Sequence, residues 1–151
     1  MGYATVAPSS MLEVYSTMMT SVSVTNADTN IQLPDITVPS FKGQLTQAYL
    51  DVLWYGYKNT AAVENDVEDG HTYLSDGVNY WDAVTYPLAI YIVAASTQGW
   101  GYFLIPGANN LSSHIASNTT YHTWFYPIKC ISNNLILRSV GVRLRLYFNV
   151  S

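Results

Sequence analysis

Eleven consecutive residues near the end of the chain alternate between apolar and polar, and this constrains the fold more than any other feature. Val140, Val142, Leu144, Leu146, Phe148 and Val150 hold one parity, while Gly141, Arg143, Arg145, Tyr147 and Asn149 hold the other. In an extended chain successive side chains point to opposite sides, so this segment has an apolar face and a polar one. A helix would scatter the same apolar residues around its circumference. The segment is therefore a strand with one face on a core, and a slip of one residue would bury both arginines. Upstream, Leu135 and Leu137 sit on the opposite parity, which predicts a bulge near Ser139-Val140-Gly141.

Other segments follow the same period. Val14, Ser16, Met18, Thr20, Val22 and Val24 share a parity and end at Asn26-Ala27-Asp28. Ala48, Leu50, Val52 and Trp54 alternate with Tyr49, Asp51, Leu53 and Tyr55, a strand whose outer face is polar but aromatic. Tyr86 to Val93 is an apolar run of strand length, as expected for burial on both faces. Tyr102 to Ile105 is a short strand framed by glycine and proline. Thr120 to Ile131 is aromatic and interrupted by Pro127, which belongs at an edge or a bulge. The best helical candidate is a single turn over Val78 to Val84, capped by Asp76. These elements predict an all-β protein of about eight antiparallel strands, the pattern of a β-sandwich or barrel. Nothing divides residues 1–151, so they read as a single domain.

The exterior is unusual. Charged residues make up 11% of the chain against roughly 25% in ordinary globular proteins, while hydrophobic residues reach 49%. Surface charge keeps monomers apart, so its shortage predicts that part of the exterior is covered by something else. Thirteen tyrosines and four tryptophans point the same way, because rings with a polar tip suit interfaces. The charges are also segregated. All ten acidic residues lie between Glu13 and Asp82, and Lys129, Arg138, Arg143 and Arg145 follow in a stretch without carboxylates. Arg138, Arg143 and Arg145 are accordingly expected to meet Glu64, Asp66, Glu68 and Asp69 of another subunit. Pairing inside one sandwich and contact with a genome's phosphates are the alternatives.

Catalytic chemistry finds little support. The cluster Glu64-Asn65-Asp66-Val67-Glu68-Asp69-Gly70 is oxygen-rich, but it lacks the spacing and flanking helices of a twelve-residue calcium loop. A solvated loop, a partner for a neighbour's arginines and a Ca²⁺ site are its three readings. His71, His114 and His122 have no zinc spacing. Cys130 is the lone cysteine and reads as a small buried hydrophobe in a strand. No nucleophile elbow and no phosphate loop are present, so neither catalysis nor a cofactor is expected. Met1 to Val6 has no secretory pattern, Val6 departs from the myristoylation rule, and Ala83 to Ala95 is too short to span a membrane. Three sequons, at Asn110, Asn118 and Asn149, matter only where a glycosylation machinery is met. Trp54, Tyr55, Tyr57, Tyr80, Trp81, Trp100 and Trp124 could alternatively stack on sugar rings.

Trp81-Asp82-Ala83-Val84, an apolar strand ending Ala94-Ala95-Ser96-Thr97, and the closing strand Val140 to Leu146 together carry a resemblance. Over roughly residues 40 to 150 the chain resembles small jelly-roll-like virion proteins of viruses and uncultured microbes. The resemblance implies a single jelly roll and a structural, capsid-type role, and it transfers no functional residue. A basic N-terminal arm, which many small shell proteins use on the genome, is lacking here. The expectation is a non-enzymatic subunit of a self-assembling shell, located in a virion, whose partners are copies of itself and other shell subunits. A carbohydrate- or surface-binding module, such as a spike or fibre tip, and a cellular filament or surface-layer subunit are the alternatives.

Overall fold

The computed structural model describes residues 9–24, 29–58, 67–84, 88–90, 99–130 and 135–149. Ten strands occur in them: β1 (Ser9–Val24), β2 (Thr29–Val38), β3 (Gln44–Lys58), β4 (Val67–Gly70), β5 (Thr72–Ser75), β6 (Tyr80–Asp82), β7 (Leu88–Ile90), β8 (Gly99–Ile105), β9 (Thr119–Cys130) and β10 (Leu135–Asn149). One sheet has the order β1-β10-β3-β8. The other runs β6-β5-β9-β4-β7, with β2 on the free side of β9.

Ten strands reduce to the expected eight because two of them are interrupted. β4 and β5 pair with β9 in one unbroken register, from Val67 opposite Cys130 to Ser75 opposite His122. They are therefore two halves of a single strand. β6 and β7 lie along β5 and β4 in turn and form the second interrupted strand. Counted this way, the chain passes between the sheets as a jelly roll does, with all pairs antiparallel.

Pro127 explains the first interruption. The expectation of an edge position fails, because β9 lies inside its sheet with β2 on one side and β4/β5 on the other. The expectation of a bulge holds: the β2 register shifts between Ile31–Phe125 and Thr29–Ile128, around the proline. Extending the β9 register places Pro127 opposite Gly70, where β4 ends. A residue without an N–H removes a rung of the ladder there.

The turn before β6 corrects a second expectation. Val78 to Val84 is not helical; a bend leads directly into strand β6. Asp76 keeps the role of acceptor, taking the N–H groups of Val78 at 2.9 Å and Asn79 at 2.7 Å. Those bonds, the one from Asn79 first, hold its carboxyl below the ordinary aspartate value. The capping chemistry survives in a turn because the apolar residues that follow pair with β5 instead of winding.

Strand β10 lies between β1 and β3, and Val140, Val142, Leu144, Leu146 and Phe148 are all buried as the alternation demands. The bulge sits slightly earlier than expected, between Leu137 and Ser139 in the β3 register. Leu144 and Leu146, with Leu50 and Val52 of β3, share a core with Ile36, Val38, Leu74 and Phe125 of the facing sheet. Of the Tyr86 to Val93 run only β7 is described; the remainder lies outside the described residues.

The segment after β8 is tied along β3 by side chains. Gly107 packs so close to β3 that an added Cβ would stand 2.4 Å from the Leu50 carbonyl oxygen. Asn110 accepts the Ala48 and Ser112 N–H groups, each at 3.0 Å, and donates to the Thr46 carbonyl at 3.1 Å. Leu111 is buried beside it. Three sites on one amide are thus committed to structure, which sets the sequon at Asn110 against modification. Asn110→Ala should cost about 1–3 kcal/mol, because the freed Ala48 N–H loses its acceptor. Urea unfolding measures it, and an unchanged midpoint would show that the bonds contribute nothing.

Candidate interaction surface

The inner faces of both sheets form the core, so function falls to the outer faces and the ends. On the first sheet the register builds the outer face in rows. Thr17, Gly141, Leu53 and Leu104 lie side by side across all four strands. Tyr15, Arg143 and Asp51 form the next row, and Glu13, Arg145 and Tyr49 the one after. Met11 and Tyr147 follow. Met11, Tyr15, Leu53 and Leu104, between 46% and 61% exposed, are large apolar side chains turned to solvent on this one face. Thr17, Leu53, Leu104 and Gly141 flank a shallow depression of about 300 Å³ whose edge is Asp51 and Arg143.

Asp51 is the centre of this face. It lies on the outer side of β3 yet is only 2% exposed, because the two arginines of β10 close over it. Arg145 grips it with both prongs, Nε to Oδ2 at 2.7 Å and Nη2 to Oδ1 at 3.0 Å. Arg143 adds Nε and Nη2 to Oδ2, each at 2.8 Å. The Gly107 N–H donates to Oδ1 at 2.8 Å. Burial alone would raise the carboxyl, but the bonds from Arg145, Gly107 and Arg143 outweigh it and leave Asp51 below its ordinary value. The same bonds to Asp51 raise both guanidinium groups. Arg145 also lies 5.2 Å from the centre of the Tyr49 ring and donates to the Tyr147 hydroxyl at 3.2 Å. Glu13 stands 3.9 Å from Arg143 and accepts a hydrogen bond from the Tyr15 hydroxyl.

Arg143 and Arg145 are thus brought together, with an aspartate of their own chain between them. Arg138 is exposed and lies nearer the start of β10. Glu64 and Asp66 lie outside the described residues, as do the side chains of Glu68 and Asp69 on β4. Asp51 was not singled out from sequence as a partner. One signal was available: a lone carboxylate inside an apolar strand, on the parity that faces outward.

The remaining candidates are dispersed. His71 pairs with Asp82 at 2.9 Å, His122 with Asp35 at 2.7 Å, and His114 stacks on Trp81 with ring centres 4.4 Å apart. Each histidine has its own partner, and among the described residues no three His, Cys, Asp or Glu gather as a metal site. Tyr80 and Trp124 lie on the outer face of the second sheet, while Tyr55 is half-buried on the first. Trp54, Tyr57 and Trp100 are placed only by their strands, their side chains lying outside the described residues. No helix among the described residues is long and apolar enough to cross a membrane.

No family model matches the sequence, and no curated protein matches it. Solved structures do show likeness. The structure of infectious bursal disease virus Gx strain is 12% identical at a TM-score of 0.41, covering 95% of this chain and 37% of that one. The decameric BFDV capsid protein is 9% identical at a TM-score of 0.44, covering 95% of this chain and 100% of that one. FLHE is 8% identical at a TM-score of 0.38, again covering 95% and 100%. This chain therefore spans little more than a third of the first structure and the whole of the other two. Two of the three are viral structures, and all three lie at a distance that bears on no activity or partner.

Proposed function

We propose that the chain is a non-enzymatic structural subunit of a self-assembling shell, of the virion type, and that copies meet through the outer face of the β1-β10-β3-β8 sheet. The observation that carries this reading is the concentration of Met11, Tyr15, Leu53 and Leu104 on that single face. Apolar side chains scattered over a surface are ordinary, but a group sharing one sheet face marks a contact. The charges on the face support a partner of the same kind. Glu13 and Asp51 balance Arg143 and Arg145, so two such faces can approach without like-charge repulsion. Aromatic and arginine anchors at the centre suit an interface that excludes water.

A second contact belongs to the same proposal. The exposed Arg138, with the solvent side of Arg143, reaches the acidic segment Glu64 to Asp69 of a neighbouring copy. This contact would make assembly sensitive to ionic strength while leaving folding of one subunit nearly indifferent to it.

Sedimentation of the purified chain across concentration and salt tests both parts. Self-association at about micromolar concentration is expected. The double substitution Leu53→Asp, Leu104→Asp should leave a folded monomer, since both side chains are exposed. A wild-type chain that stays monomeric at every concentration and salt overturns the proposal. Electron micrographs of the assembled material separate closed shells from open filaments, and filaments would transfer the reading to a filament or surface-layer subunit.

A further inference from the structure

The opposite face of the sandwich has a different chemistry. On the outer side of the second sheet the register aligns Gln32, Trp124, Tyr73 and Asp82 in one row across β2, β9, β5 and β6. Trp124, Tyr73, Tyr80 and Asn30 line a depression of about 400 Å³ that runs obliquely from β2 to β6. Two of its rings touch. Tyr73 and Tyr80 meet edge to face, with centres 6.5 Å apart and planes at 82°. His71 stacks on Tyr73 with centres 6.0 Å apart, and its Nδ1 is bonded to Asp82. Asp82 also accepts the Val84 N–H at 3.0 Å, so the ring beside Tyr73 is anchored through β6.

The described lining favours one class of ligand. None of the four described residues that line it carries a formal charge, and the neighbouring carboxylates Asp82 and Asp35 are each paired with a histidine. An ionic ligand would give up water and find no counter-charge. A wholly apolar ligand would cover the Asn30 amide and the phenol groups without replacing their hydrogen bonds. A ligand that suits the site has flat apolar faces to lie on rings and neutral hydroxyls at its edges. Pyranose rings have both. Pockets that bind small molecules share this plan, mostly aromatic walls with a few polar groups to fix orientation.

We propose that this depression binds a neutral oligosaccharide, its sugar rings stacked on Trp124 and Tyr80 and its hydroxyls bonded by the Asn30 amide and the Tyr80 hydroxyl, with Tyr73 holding Tyr80 in place. The site lies on the face turned away from the surface assigned above to self-association, so the two activities are separable. It stands on its own geometry and does not depend on the shell reading. In an assembled particle it would leave each subunit one glycan-binding face.

The test uses the full chain and a panel of defined neutral oligosaccharides: hexamers of cellulose, xylan, mannan, amylose and chitin, with sialyllactose as a charged control. Binding is read from tryptophan fluorescence and by calorimetry. At least one neutral hexamer should bind with a dissociation constant at or below about 1 mM. Tyr80→Ala removes an exposed ring outside the core, and Trp124→Phe keeps a packing ring of smaller face. Each should weaken binding at least about tenfold with unchanged circular dichroism and sedimentation. Absence of binding across the neutral panel overturns the proposal. So does binding that survives both substitutions, or binding of sialyllactose alone. Loss of self-association in Tyr80→Ala with sugar binding intact would overturn it too, by assigning this face to subunit contact.

Discussion

Removing Arg143 and Arg145 together, each to alanine, should cost the folded chain about 3–5 kcal/mol, far more than a surface ion pair returns. The reason is Asp51. With both guanidinium groups gone, the carboxylate they covered keeps the Gly107 N–H, and four charge-assisted bonds are exchanged for water that enters where the side chains stood. The reverse substitution is milder. Asp51→Asn leaves two arginines that already reach solvent on one side, and an amide oxygen can still accept from Gly107. A loss of about 1–3 kcal/mol is expected there. Urea denaturation at protein concentrations low enough to keep the chain monomeric isolates these effects from assembly. A double-arginine variant that loses under about 1 kcal/mol would show that water, and not the guanidinium pair, satisfies Asp51.

The same carboxylate sets a pH dependence with a definite sign. Folding lowers Asp51 below its ordinary value of 3.8, so in acid the unfolded chain binds the proton more readily. The stabilisation from the cluster is whole above the unfolded value and disappears as the pH falls through the lower folded one. Asp51→Asn should flatten that part of the acid limb and leave the neutral range parallel to wild type.

Phe148→Ala should cost about 3–5 kcal/mol, in the range for a buried phenylalanine emptied in a core that cannot collapse around the hole. Phe148 ends the inner row of β10 and packs against Phe41, with ring centres 4.9 Å apart. It also pairs across to Ser10 and Leu45, so its loss loosens both flanking strands at one end of the sandwich. Phe148→Leu keeps most of the volume and should cost less than about 1.5 kcal/mol. An alanine variant within about 1 kcal/mol of wild type would contradict the inward assignment of the whole alternating row.

That row was legible from the chain alone. Alternation is a property of neighbours in sequence, and whichever strand β10 pairs with, Leu144 and Arg145 must point to opposite sides. The same argument placed Leu50 and Val52 inward and Leu53 outward, and the density of such segments was enough for a β-sandwich or barrel, with the jelly roll implied only by resemblance. The locally written bulges and turns were legible too, though less sharply: Pro127 marks a bulge, and Asp76 holds a turn. Where local signals misled, pairing partners had overridden them. Val78 to Val84 has enough apolar spacing for a helical turn, but β5 offers Tyr80 to Asp82 a ladder. Pro127 fits an edge or a bulge, and only the pairing of β9 on both sides selects the bulge.

What acts on the outer faces was decided only in three dimensions. Asp51 stands 92 and 94 positions from the arginines that cover it, and no period in the chain relates them. They meet because the β3–β10 register sets Asp51 opposite Arg143, one row from Arg145. The aromatic depression arises likewise, from Asn30, Tyr73, Tyr80 and Trp124 on separate strands. A strand's two faces are fixed by bond geometry along the chain, but the company each face keeps depends on which strands lie beside it and in what register. Register is chosen by the packing of the entire core, and so the partners of Asp51 and Trp124 became visible only in the folded sandwich.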